Sequence, residues 1–66
     1  MTFENLVAGH LYSDRNIVNV YRFVRMRNDY IAEFVECEYD EDKGDFIDTT
    51  NEIDLVKSEV ARLREV

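Results

Sequence analysis

The chain has 66 residues and a formal net charge of −7, a size at which only roughly 60% of the unfolded surface is buried, so a second domain is excluded. Hydrophobic residues make up 45%, with four Tyr and four Phe, which is enough for a small core and outside the composition of disordered chains. One cysteine excludes an internal disulfide, and with a single histidine beside it a tetrahedral zinc site fails on ligand count.

The charge is polarised along the chain. Residues 1–28 carry Arg15, Arg22, Arg25 and Arg27 against Glu4 and Asp14, whereas residues 29–66 hold a net −9. An acidic domain repels a phosphate backbone, which disfavours nucleic acid and favours a partner with a basic or mixed surface. No apolar run approaches ~18 residues, and Met1-Thr2-Phe3-Glu4 lacks the basic and then apolar pattern of a secretory signal. With the lone thiol, these features lead us to expect a cytoplasmic protein with no membrane association.

In chain order, Gly9 turns the apolar segment 3–8 into a first strand over 10–12, which Ser13-Asp14-Arg15-Asn16 closes. Two β-branched and aromatic runs, 17–27 and 30–39, flank Asn28-Asp29, a pair suited to a two-residue type I′ turn. That turn sets Arg27 opposite Tyr30 and Phe23 opposite Phe34, an aromatic cross-strand pair. The pleat then collects Val18, Val20, Val24, Met26, Ile31, Val35, Cys37 and Tyr39 on one face, which predicts a core enclosing an Arg22–Glu33 ion pair. The other face carries Ile17, Tyr21, Phe23, Arg25, Tyr30 and Phe34 and extends to Glu36 and Glu38.

An acidic turn, Asp40-Glu41-Asp42-Lys43-Gly44, uses Gly44 for a positive φ and leads into a strand over 45–49. Ile53, Val56, Val60 and Leu63 then recur at helical spacing, with Thr49/Glu52 or Asn51/Asp54 as N-terminal caps and Arg62 and Arg64 near the end. This predicts an amphipathic helix over 51–65. The fold class expected is α+β: one domain, 1–66, with an antiparallel meander of three to four strands and one C-terminal helix.

The chemistry-bearing residues do not converge. His10 and Cys37 are given no reason to meet, so a Cys–His nucleophile is not expected. The 40–51 stretch misses the calcium-loop positions, with Gly44, Asp45 and Asn51 where acceptor, Gly and Glu are required. Gly-rich phosphate loops and paired Ser and base are absent from the sequence. We expect no enzyme, no metal and no cofactor.

Leu6-x-x-Gly9-x-x-Tyr12, followed by a long hairpin, an acidic turn and another strand, resembles small SH3-like β-barrels over residues 6–50. The resemblance implies a module that binds proteins or nucleic acids, and no functional residue transfers with it. The expectation is a non-enzymatic protein-interaction domain, of the size and charge of small regulators and inhibitors that viruses and mobile elements encode. Its anchors on the second hairpin face would be Tyr21, Phe23, Arg25, Tyr30 and Phe34, for a protein partner or for homodimerisation. Two alternatives stand beside it. Glu36, Glu38, Asp40, Glu41, Asp42, Asp45 and Asp48 could mimic a nucleic-acid backbone, or the aromatic and basic residues of the second face could bind a single strand.

Overall fold

A computed structural model describes residues 2–14 and 19–66. The predicted strand positions Ile17 and Val18, and the turn residues Arg15 and Asn16, lie outside the described residues. A 3-10 turn at Phe3–Asn5 precedes β1 (Leu11–Ser13), β2 (Val20–Met26), β3 (Ile31–Asp40), β4 (Asp45–Val56), a one-turn helix α1 (Lys57–Val60) and β5 (Arg64–Glu65). All neighbours are antiparallel in one open sheet of order β4-β3-β2-β1-β5.

The β2–β3 hairpin keeps the expected register as far as Phe23 opposite Phe34. A bulge then absorbs Val24, so Arg25 faces Glu33 and Met26 faces Ala32. The connection accordingly spans Arg27 to Tyr30 rather than two residues. Asn28 shapes it with its side chain, whose Oδ1 accepts from the N–H groups of Tyr30 and Ile31 at 2.8 and 2.9 Å. The 40–45 turn is formed as expected, with Gly44 at φ +65° and its N–H donating to the Asp40 carbonyl.

The covered face is the opposite of the one expected. Phe34 is 1% exposed and Phe23 5%, and they pack with Tyr12, Ala32, Leu55, Phe3, Val60 and Leu63. The rings of Tyr12, Tyr21 and Phe23 lie 5.4 to 6.3 Å from that of Phe34, edge-on or tilted. Such pairs add about 0.5–1.5 kcal/mol each beyond area burial. Both pleat faces carry apolar side chains, and a chain this short can cover only one. The aromatic face buries more area per residue, and Phe3, Leu6, Val60 and Leu63 arrive from the two ends of the chain to close it. Of the residues expected in the core, Val24 and Met26 are exposed, and the bulge has moved Met26 to the aromatic side; on the other face Val20 and Cys37, opposite each other, are buried.

The C-terminal helix of 51–65 is corrected to four residues, Lys57–Val60. Ile53 and Leu55 also stand two apart, as in a strand, and pairing opposite Phe34 and Ala32 puts both into the core. Backbone pairing of β4 with β3 thus wins over helical periodicity. The caps proposed near residue 51 are not used as caps. Instead Glu59 reaches back to the Val56 N–H at 3.1 Å, and only Val60 and Leu63 keep the three-residue spacing as buried groups. No helix among the described residues is long and apolar enough to cross a membrane.

Candidate interaction surface

The five residues expected to form one contact face are separated by the fold. Phe23 and Phe34 are core, and Tyr21 is half-buried against Phe34. Tyr30 is 73% exposed in the β2–β3 turn. Arg25 is exposed on the other side of the sheet, where its Nε donates to Glu33 Oε2 at 2.8 Å. Phase inversion after the Val24 bulge puts Arg25 on that side.

Several charges on the uncovered face are paired. Glu33 is clasped by Arg25 and, at 2.8 Å, by Arg27, which also reaches Asp54 at 2.8 Å. The hydrogen bonds from Arg27 and then Arg25 hold the Glu33 carboxyl below the ordinary carboxylate range. The expected Arg22–Glu33 pair is absent: after the bulge Glu33 is held by Arg25 and Arg27, and Arg22 pairs with Asp48 of β4 instead. Arg22 Nε donates to Asp48 Oδ1 at 2.7 Å and Nη1 to the Gly9 carbonyl at 2.7 Å. The Arg22–Asp48 hydrogen bond, with a smaller contribution from the Cys37 thiol, lowers the Asp48 pKa.

Cys37 sits beneath this pair, its Sγ donating to Asp48 Oδ1 at 3.3 Å, and burial raises its pKa, with the Asp48 carboxylate adding to the effect. It is a protonated, packed thiol. His10 is elsewhere, with Nδ1 2.6 Å from Glu65 Oε1, tying the approach to β1 to the last strand. Among the described residues no group of three or more His, Cys, Asp or Glu is placed to hold a metal ion.

The acidic series divides. Asp48 is engaged with Arg22, and Glu36 is half-buried opposite Tyr21. The remainder lies on a ribbon. Among the described residues β2 begins at Val20, opposite Cys37, so Glu38, Tyr39 and Asp40 pair only with Ile47, Phe46 and Asp45 of β4. Asp40 and Asp45 shape the tip: Asp40 Oδ1 accepts from Asp42 and Lys43 N–H, and Asp45 Oδ1 from Phe46 N–H. Glu38, Glu41 and Asp42 are exposed and unpaired among the described residues.

One rung before this tip Tyr39 and Phe46 meet edge-on at 5.3 Å, and Tyr39 is 57% exposed. Ile47 is exposed on the opposite side of the ribbon. The sequence reading missed this pair as a site, having placed Tyr39 in the core and passed over Phe46. Its signal was present, since the two rings stand equally far from the Asp40–Asp45 closing pair of a turn that Gly44 marks. No protein family, curated protein or solved structure matches the chain.

Proposed function

We propose that this chain is a small non-enzymatic interaction domain that binds and regulates a basic protein partner through the β3–β4 ribbon. The observation that carries the reading is the Tyr39–Phe46 pair, with the Tyr39 ring exposed, next to the tip that carries the unpaired Glu41 and Asp42. An aromatic centre with a charged rim is the usual make-up of an energetic anchor in an interface. A Lys or Arg laid on the Tyr39 ring gains a cation–π contact, and the net charge of −7 speeds encounter with a basic surface. The element order, with a short strand after Gly9, a meander and a return of β5 to β1, resembles an unclosed SH3-like barrel and supports a binding role.

A second reading is favoured by the ribbon's spacing, because alternate strand positions such as Glu38 and Asp40 stand ~6–7 Å apart, near the phosphate repeat of a nucleic-acid strand. Under it the basic partner is itself a nucleic-acid-binding protein, and duplex DNA competes with this chain for the partner.

Titration of the isotopically labelled chain with oligolysine at low salt tests the primary reading. Amide shifts should concentrate in residues 38–47 and fade as salt is raised. Replacing Tyr39 and Phe46 together by Ala should weaken the complex about tenfold while the chain stays folded. Shifts spread evenly over the sheet, or unchanged affinity in the double variant, would reject it.

A further inference from the structure

The two edges of the sheet are unlike. β5 is two residues long, too short to template another strand. β4 runs twelve residues, Asp45–Val56, and among the described residues it is bonded on one side only, to β3.

The phase of the open edge follows from hydrogen bonds at both ends of β4. The Ile31 carbonyl accepts from Arg27 and Asn28 N–H and so faces β2, and its register partner Val56 therefore turns its own N–H away from β3. That N–H is taken by Glu59. Strand alternation sends the backbone groups of Asp54 and Glu52 outward as well. Between Glu52 and Asp48 the register slips, and the Thr49 hydroxyl fills the gap by donating to the Glu36 carbonyl at 2.8 Å and accepting from Asn51 N–H. Beyond the slip, Asp48 and Phe46 face outward again, and Asp45 takes the Phe46 N–H.

Open rungs thus remain at Asp48, Glu52 and Asp54, and each of these residues carries a carboxylate on the face opposite the core. Asp48 and Asp54 lean inward to Arg22 and Arg27, while Glu52 is exposed without an ion pair. A second copy of the chain is the wrong occupant, because antiparallel pairing of β4 with itself sets carboxylates against carboxylates. The same charges suit an opposite strand.

We propose that the outer edge of β4 receives an extended basic segment of the partner by strand addition, with Lys or Arg at every second position beside Asp48, Glu52 and Asp54. Backbone bonds to the open rungs hold the segment, and the alternating carboxylates select its charge and register. The proposal rests on the basic-partner reading of the ribbon, with which β4 is continuous.

In this geometry the residues opposite Glu52 and Asp54 point both their side chains toward the carboxylate face and their N–H groups toward β4. The probe is a short peptide alternating lysine and threonine, added to the full chain. Amide exchange at Glu52 and Asp54 should slow about tenfold on binding. Methylating the backbone nitrogens of the lysines should abolish binding, and methylating those of the threonines should not. Equal binding of the two methylated peptides overturns the proposal, as does binding that leaves the Glu52 and Asp54 amides unprotected, or no binding at all. If oligolysine still shifts residues 38–47 in those cases, the ribbon reading survives and only strand addition is lost.

Discussion

The sheet around Phe34 and the ribbon beyond Cys37 are built from the same alternating strands, yet one is a core and the other a surface. Around Phe34, segments from both ends of the chain, with Phe3, Val60 and Leu63, fold over the aromatic face. Along residues 38–47 no described segment covers either side, and the Tyr39–Phe46 pair is left beside water. Coverage by distant segments, more than local pattern, decides which apolar side chains stabilise the fold and which are offered to a partner.

The widest separation between the two regions should appear on truncating their central rings. Phe34→Ala should cost about 3–5 kcal/mol, enough to unfold much of a domain this small, whereas Tyr39→Ala should cost less than about 1 kcal/mol. Chemical denaturation of both variants checks this, and comparable losses would erase the distinction. A smaller effect is expected at Tyr12, fully buried, whose hydroxyl oxygen accepts the Val7 N–H at 2.9 Å. Tyr12→Phe leaves that donor without its acceptor and should destabilise by about 1 kcal/mol on the same assay.

Acid sensitivity should also map to the covered end of the sheet. Glu33 and Asp48 have folded pKa values held down by Arg27 with Arg25 and by Arg22 respectively. A depressed carboxylate contributes stability that is fully present above its unfolded pKa of about 4 and is lost as pH falls through the folded value. Melting temperature should therefore fall as the solution is acidified below about pH 4. In Glu33→Gln combined with Asp48→Asn that fall should be shallower, and an identical pH profile would show the pairs to be idle.

A similarly small change is expected at the ribbon tip. A Cβ added at Gly44 meets nothing within 4 Å, so Gly44→Ala pays only for its φ of +65°. About 1 kcal/mol is expected, with amide shifts confined to the turn.

The sequence made the β2–β3 pairing legible up to Phe23 and Phe34, because alternation and a turn signal were both present. It also disclosed the Gly44 turn and the packed character of Cys37. Which pleat face would be covered was not legible, since Val20, Val24 and Val35 compete on equal local terms with Tyr21, Phe23 and Phe34. The answer came from Phe3, Leu6, Val60 and Leu63, distant in the chain. The missing helix has a similar origin: Ile53 fits both periods, Val56 the helical one and Leu55 the strand, and only pairing with β3 breaks the tie. Of the candidate site, the carboxylates were visible in sequence, but their division into Asp48, held by Arg22, and the unpaired Glu38, Glu41 and Asp42 required the register.

Native-state amide hydrogen exchange reads the contrast between core and ribbon residue by residue. The account predicts that the slowest amides cluster where β3 meets both neighbours, around Phe34, and exchange only on global unfolding, while those of Glu38–Ile47 open locally and exchange far faster. Protection as strong along the ribbon as at Phe34, or fast exchange at Phe34 itself, would contradict it.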